Sequence, residues 1–447
     1  MLKAFIERLR GRSNKRPRLK LVITARDQHS ISRKNISQAA LKTLYRLHDQ
    51  GYEGFLVGGG VRDLLLGLHP KDFDIATNAT PEQVKQVFGS QCQLIGRRFR
   101  LAHVRFGREI IEVATFRAHH AQADSDAHAR TSDEGMILRD NVWGSIEEDA
   151  ERRDFTVNAL YYNIADFTLW DFAGGLKDLE RRQLRLIGDP ETRYREDPVR
   201  MLRAIRFAAK LDFTLEPATA EPILRLGDLL DDISNHRLFD ESQKMLGGGH
   251  AERVLERLRE YNLQAHLFPE ASDDETSIAL VTLTARNTDQ RLAAGKSVNP
   301  AFFFAALLWG HLQDTRDQLL DEGVPAMPAL QQAGQKVISR QSERTAIPRF
   351  SAQTIRDIWE LQPRLEAPRP RQVDALITNP RFRAAYDFLV LREQAGDEAA
   401  HMAPWWTRYQ DADPGLQAEM LRALENPGAS AGSGKPRRRR PRKRKPD

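Results

Sequence analysis

Residues 56–74 read Leu56-Val-Gly-Gly-Gly-Val-Arg-Asp-Leu-Leu-Leu-Gly-Leu-His-Pro-Lys-Asp-Phe-Asp74, an apolar run ending in a glycine triplet, followed by two carboxylates spaced i, i+2. An extended strand sends alternate side chains to opposite faces, so Asp72 and Asp74 share one face while Phe73 takes the core side. Two such anions repel by roughly 1 to 4 kcal/mol at about 4 Å, a cost that a cation between them removes. Hard carboxylate oxygens suit Mg²⁺, which takes one or two carboxylates, waters and substrate phosphates. Gly58, Gly59 and Gly60 let bare backbone approach a phosphate, and a short helix expected from Arg62 presents its N-terminal end to an anion. The commoner glycine motifs do not apply. No Gly-Lys-Ser/Thr follows the triplet, and Asp63 stands where a dinucleotide fingerprint needs glycine or alanine.

A length of 447 residues accommodates about two to four domains. No apolar run is long enough for a membrane span, and Met1–Arg12 is too short and too charged for a cleaved signal peptide, so the expected location is cytoplasmic. Cys92 is the only cysteine, which excludes an intrachain disulfide or thiolate zinc site and fits a small buried thiol. The net charge of +6 is unevenly placed: residues 1–20 carry +7 and residues 435–447 carry +8, leaving −9 for those between. Lys435, Arg437, Arg438, Arg439, Arg440, Arg442, Lys443, Arg444 and Lys445 follow a Gly/Ser/Ala-rich linker from Asn426 to Gly434. The expectation is a disordered cationic arm that binds nucleic acid, because no apolar residue interleaves the charges as a membrane-binding segment requires.

The chain predicts a helix over 37–50, a strand at 55–57, the glycine turn, a helix from Arg62, a strand at 72–76 and a capped helix opened by Thr80-Pro81-Glu82. Strands follow at 102–106 and 110–116. Residues 119–140 lack periodicity and read as a mobile loop; its His119, His120 and His128 have no spacing that supports a metal site. Beyond about residue 176 strand signals nearly vanish and helical patterns run to about Leu424. The fold class is α+β: a small mixed-sheet head followed by a helical remainder.

Three further constellations carry chemistry. Glu112 lies in an otherwise apolar strand, on the face opposite Ile111 and Val113; beside the Asp72 strand it becomes a third carboxylate of a two-metal site. In Glu151-Arg-Arg-Asp-Phe-Thr-Val-Asn158 a helix begins with Asp154 as its cap and Asn158 one turn on, and Arg152 and Arg153 at its entry offset the charge of a triphosphate. In Glu196-Asp-Pro-Val-Arg-Met-Leu-Arg203, Asp197 caps a helix whose apolar face is Val199, Leu202, Ile205 and Ala209, with Arg200 and Arg203 on the other side. Held rigidly, Asp accepts from an exocyclic amine and Arg donates to a ring nitrogen, a pattern that adenine and cytosine share.

Gly58-Gly59 with Arg62, Asp72-x-Asp74, Arg152-Arg153-Asp154-Phe155-Thr156-x-Asn158-Ala159 and Glu196-Asp197-x-x-Arg200-x-x-Arg203 resemble the signature motifs of the class II nucleotidyltransferases, which comprise tRNA CCA-adding enzymes and bacterial poly(A) polymerases. His29-Ser-Ile-Ser-Arg33, Arg97-Arg-Phe-Arg-Leu-Ala-His103, Val298-Asn-Pro-Ala-Phe302, Phe382-Arg-Ala-Ala-Tyr386 and the Arg-rich tail resemble the poly(A) polymerase branch. The resemblance implies a nucleotidyltransferase head followed by an all-helical neck, body and leg. It implies ATP as substrate with Mg²⁺, or Mn²⁺ in its place, and untemplated adenylation of RNA 3′ ends that promotes RNA decay. By the same resemblance Asp72, Asp74 and Glu112 hold metal and Asp154 joins the catalytic carboxylates. Gly58, Gly59, Arg62, Arg152, Arg153 and Asn158 contact the nucleotide, and Asp197, Arg200 and Arg203 read its base. The expected division is an extension over 1–35, a head over 36–175, a neck over 176–270, a body and C-terminal domain over 271–425 and an arm over 426–447, working as a monomer on RNA. A tRNA CCA-adding enzyme shares every one of these head motifs. A noncatalytic RNA-binding protein on a retired transferase fold is disfavoured by the intact acids at 72, 74 and 112.

Overall fold

The strands around the glycine turn assemble into one eight-stranded sheet. In chain order the strands of this region are β1 (Val22–Thr24), β2 (Gly54–Val57), β3 (Asp74–Thr77), β4 (Cys92–Ile95), β5 (Leu101–Phe106), β6 (Glu109–Thr115), β7 (Ala129–Thr131), β8 (Ile137–Asp140), β9 (Leu160–Asn163) and β10 (Leu169–Asp171), of which β7 and β8 pair separately from the sheet. The computed structural model describes residues 20–96, 100–118, 129–131, 137–140 and 142–425, with 129–131 and 137–140 described by backbone alone. Across the sheet the order is β1-β10-β9-β2-β3-β6-β5-β4, and β3 and β6 are its one parallel pair. All four residues of central β2 are buried, as an unbroken Phe-Leu-Val run requires.

The helices of this region are α1 (Gln38–Asp49), α2 (Gly59–Leu65), α3 (Pro81–Phe88), α4 (Ile146–Arg152), α5 (Gly175–Glu180), α6 (Pro190–Glu196) and α7 (Val199–Leu211). Ser37 caps α1 by accepting from the Ala40 amide, and Thr80 with Gln83 forms a reciprocal capping box on α3. The predicted apolar face of α7, Val199, Leu202, Ile205 and Ala209, is fully buried. Phe55, Val57, Ala76, Phe116, Ile146, Tyr161 and Phe172 close one side of the sheet as a continuous core.

Several local expectations are corrected. Residues 20–35 belong to the head instead of an extension: β1 pairs with β10, the His29 imidazole bonds the Phe167 carbonyl at 2.9 Å, and the Arg33 guanidinium lies 4.6 Å from the Phe167 ring centre. A three-residue edge strand is too short to show alternation, so only its cross-strand partner reveals it. The glycine helix begins at Gly59, not Arg62, because Gly58 turns the chain at φ +73°, a conformation that side-chain-bearing residues rarely adopt. Asp72 precedes its strand, which starts at Asp74. The expected loop over 119–140 contains the antiparallel β7–β8 ribbon, while His119, His120 and His128 lie outside the described residues. The helix expected from Glu151 instead ends at Arg152, having begun at Ile146 behind a Ser145–Glu148 capping box. Asp197 is the C-cap of α6, and Pro198, not Asp197, is the N-cap of α7.

The described chain divides into two compact units, residues up to Ile233 with Arg257–Leu263, and Ser234–Glu256 with residues from Gln264 onward. The first unit therefore joins the expected head to most of the expected neck, and adds a two-residue parallel pairing of β11 (Gln183–Leu184) with β12 (Thr214–Leu215). The second unit is helical throughout its described residues. In its interior, Arg392 is fully buried over the Trp309 ring and ion-paired to Glu366 at 2.6 Å and Asp397 at 2.8 Å. Trp406 donates to the Leu365 carbonyl at 2.8 Å. No described helix is long and apolar enough to cross a membrane. The arm, from Lys435 to Lys445, lies outside the described residues.

Candidate active site

Strand direction gathers the glycine turn and the carboxylates at one end of the sheet. Because β2 and β3 are antiparallel with Val57 opposite Asp74, Gly58 follows directly beside Asp74; because β3 and β6 are parallel in the register Asp74 to Glu112, the third carboxylate lies alongside. Ile111 and Val113 are buried and Glu112 is exposed, as the alternation predicted. A Cβ on Gly58 would stand 3.6 Å from Arg153 Nη1 and 4.0 Å from Asp74 Oδ2. The missing side chain thus leaves a cradle bounded by a guanidinium on one side and a carboxylate on the other.

Protein crowding around Asp74, with repulsion from Glu112 and Asp72 outweighing attraction to Arg153, pushes its carboxyl up to about 6. Its outer surface remains open to solvent, which softens that repulsion. Among the described residues no three His, Cys, Asp or Glu side chains close around one point. Glu112 is drawn instead to His103, whose Nε2 lies 3.1 Å from its carboxylate. The residues fit a divalent cation in a particular way: crowded hard oxygens at Asp72 and Asp74, with remaining ligands left to substrate phosphates and water.

A second cluster sits under the cradle. Arg153 is buried, and although burial disfavours its charge, Tyr161 and Asp149 raise its pKa above the usual arginine value. Arg153 donates to Asp149 at 3.0 Å and to the Tyr161 hydroxyl at 2.8 Å, and that hydroxyl donates to Asp149 at 2.7 Å. Those bonds use Nε and Nη2, so Nη1 is the nitrogen that faces Gly58. Asp149 and Tyr161 complete this cluster and were not among the residues the sequence singled out. Asp149 had a signal, its i, i+4 spacing from Arg153; Tyr161 had none within its apolar strand.

Asp154 is fixed by Arg203, whose Nε and Nη2 approach one carboxylate oxygen at 2.9 and 2.6 Å, while the Phe155 amide and Asn158 side chain donate to the other. Burial would raise the Asp154 pKa, but the Arg203 charge and these hydrogen bonds hold it at about 2. Asn158 also accepts from Arg62 at 2.6 Å, and Arg62, 2% exposed, spends its other nitrogens on Asp63. Arg62 therefore braces the glycine helix against the Asn158 turn, with its Nη2 3.5 Å from where a Cβ on Gly59 would stand. Lys210 reaches Asp63 at 3.6 Å and extends the bracing to α7.

The remaining predicted arginines divide. Arg152 donates to the Ala118 carbonyl; burial and neighbouring Arg117, Arg193 and Arg200 lower its pKa to about 9. Arg193, also missed, staples this stretch by donating to the Arg152 and Arg153 carbonyls at 2.7 and 2.8 Å. Arg200 is 8% exposed and bonds through Nη1 to the Arg193 carbonyl and to Glu196. The structure thus brings together Gly58, Asp74, Glu112 and Arg153 at the open end, and Asp154, Asn158, Arg62 and Arg203 behind it.

A carboxylate pair at the end of a mixed sheet, a glycine cradle and a buried arginine beside it define a nucleotidyltransferase head. Residues 54–185 match the family described as "Poly A polymerase head domain", 212–275 match "Probable RNA and SrmB- binding site of polymerase A", and 322–445 match "Polymerase A arginine-rich C-terminus". The chain is 50% identical over 438 residues to Poly(A) polymerase I of Salmonella typhimurium, covering 95% of this chain and 93% of the relative. It is 48% identical over 402 residues to the Haemophilus influenzae Poly(A) polymerase I, covering 88% and 89%. The CCA-adding enzyme of Geobacillus stearothermophilus is 38% identical over 230 residues, covering only 52% of this chain and 54% of the relative. Among solved structures, Bacillus stearothermophilus CCA-adding enzyme in complex with CTP superposes with a TM-score of 0.55 at 28% identity, over 87% of this chain and 81% of that one. This chain belongs to the poly(A) polymerase I family, and it is a nucleotidyltransferase.

Proposed function

We propose that this enzyme transfers AMP from ATP to RNA 3′ ends, the 3′-hydroxyl attacking the α-phosphate in line and pyrophosphate leaving. The observation that carries the choice of poly(A) addition over CCA addition is coverage: identity to the poly(A) polymerases extends over nearly the whole chain, whereas the CCA-adding relative matches about half. The head geometry suits both, since the base-reading pattern admits adenine and cytosine alike.

In this reading Gly58 and Gly59 admit the triphosphate against bare backbone, and Arg153 Nη1 neutralises it from below. Asp149 and Tyr161 position Arg153, so its cation meets the phosphates with little reorganisation. Asp72 and Asp74 hold the divalent ion, Mg²⁺ by its preference for oxygen and phosphate ligands, while Glu112 adds to the negative field beside them. When bound, that ion lowers the proton affinity of the attacking hydroxyl and offsets charge on the leaving oxygens. Asp154 and Asn158 orient the ribose side. Asp197 and Arg200 read the base, Arg200 through the nitrogens other than Nη1, and Arg203 keeps Asp154 in place. The location expected for such an enzyme is the cytoplasm, and the terminal arm would hold RNA loosely and without sequence preference.

The test offers ATP or CTP separately to the purified protein with Mg²⁺ and an unstructured RNA, with products resolved by length. A long ATP-dependent ladder with little CTP use supports the proposal. Addition of only two or three nucleotides, confined to truncated tRNA, would make it a CCA-adding enzyme.

A further inference from the structure

We propose that the second unit carries a site for single-stranded RNA, a groove of about 730 Å³ bordered by helices Asn235–Leu246, Ala326–Arg344 and Arg349–Glu366, with Phe350, the residue after the lining Arg349, as the base-stacking platform. The inference rests on the reading of the chain as an RNA-extending enzyme and adds the place that holds the strand away from its 3′ end. Apart from Asn235, the groove's lining lies within the region matched as the arginine-rich C-terminus, and it is built from folded residues well before the terminal arm.

Phe350 is 69% exposed, the most exposed of the large apolar side chains described. A solitary exposed aromatic is ordinary on a protein surface. This one has chemistry around it. The Arg381 guanidinium stands 5.8 Å from its ring centre and is anchored by Asp357 at 3.2 Å, so the platform is flanked by a fixed cation. Arg349, the preceding residue, lines the groove and is exposed, with no carboxylate paired to it among the described residues. Arg356, about two turns along the same helix, donates to the Gln335 and Gln353 amide oxygens at 3.3 and 2.9 Å. Those partners are neutral, so its positive charge is oriented without being offset.

The rest of the lining includes Asn235, Gln335, Ser339 and Ser342, side chains that both donate and accept hydrogen bonds. Cations for the backbone, an aromatic face for a base and adaptable polar groups along the floor are the recurring parts of sequence-tolerant single-strand sites. An acidic peptide would use the arginines but has no use for the stacking platform, which favours RNA. Glu343 also lines the groove and holds its charge to a modest excess, and its volume falls within the roughly 300–1,000 Å³ of small-ligand clefts. The site therefore takes a short stretch of strand, not a duplex.

The test uses the full-length protein, with thermal melting to verify that each variant is folded. Binding of a labelled oligoadenylate, longer than the roughly 4–16 nucleotides one single-strand site covers, is followed by anisotropy across a salt series. Phe350→Ala should weaken binding about fivefold or more, as loss of one stacked base does. Arg349→Gln with Arg356→Gln should weaken it and flatten the slope of log K against log salt by about 1.4, for two phosphate contacts. The rate of adding the first AMP to a saturating short primer should stay at the wild-type value, while products on long RNA become shorter. Unchanged affinity, salt slope and product length in both variants would overturn the assignment. So would variants that keep RNA affinity and lose only binding to a polyglutamate peptide, which would make the groove a protein-docking site. Wild-type protein that binds oligoadenylate without extending it would reject the adenylyl-transfer reading, while the same affinity comparison would still decide the groove.

Discussion

Replacing Arg203 with Met removes the charge that holds Asp154 and keeps an apolar stem beside the Phe207 ring, over which the guanidinium lies at 5.2 Å. Asp154 is held at about 2 against an ordinary 3.8; a depression of that size corresponds to about 2 kcal/mol of folded-state stability at neutral pH. Stranding a buried carboxylate adds to the loss, so the expected destabilisation at pH 7 is about 2 to 4 kcal/mol. The sign follows from linkage. The wild-type contribution is complete above the unfolded pKa and is lost as pH falls from about 4 toward 2. In the variant, burial without Arg203 raises Asp154, so its penalty is relieved by protonation on acidification. The difference between the two proteins should therefore be greatest at neutral pH and shrink below about pH 5. Two compact units make a single global unfolding energy a poor readout, so amide hydrogen exchange over Leu160–Asn163 and Val199–Leu211 is the assay. A difference below about 0.5 kcal/mol and flat with pH would refute the reasoning, since surface-like pairs behave that way.

Other outcomes follow from separate parts of the molecule. Gly58→Ala should cost about 1 to 3 kcal/mol, because φ +73° is strained for alanine, and should raise the KM for ATP by filling the cradle near Arg153; melting and nucleotide titration check it. Tyr161→Phe should loosen Arg153 and weaken ATP binding by about 1 kcal/mol, read as a higher KM with little change in fold. Arg392→Met should destabilise the second unit by about 3 to 5 kcal/mol, because Glu366 and Asp397 lose their buried partner, and exchange in the first unit should not change. Deleting residues 435–447 should weaken RNA binding and flatten its salt dependence; if about five cations meet phosphates, the contribution lost is a slope near −3.5.

Much of the head was legible because its signals are local. The Thr80-Pro81 cap, the buried Gly54–Val57 run and the alternation around Glu112 each express one residue's neighbours in sequence, and the structure has them. What escaped depends on partners far along the chain. That Arg62 also bonds Asn158, 96 residues on, had no local signal. Asp154 was expected as a helix cap, but Arg203, 49 residues on, recruits its carboxylate and the chain there is extended or tightly turned. β1 was invisible for the same reason, since its pairing with β10 spans most of the head. Glu112 occupies the predicted register beside Asp74, while its contact with His103, from the neighbouring strand, had no signal in its own strand's alternation.

The central claim, that the Asp72–Asp74 end of the sheet performs adenylyl transfer, is tested most directly by comparing wild type with Asp74→Asn for RNA extension with ATP and for RNA binding in the same buffer. The account predicts that extension falls by about three orders of magnitude or more, as loss of several kcal/mol of transition-state stabilisation implies, while RNA affinity stays within about twofold, the variant altering one carboxylate and none of the basic groups that contact phosphates. Extension by Asp74→Asn at the wild-type rate would contradict it and move the chemistry away from this end of the sheet.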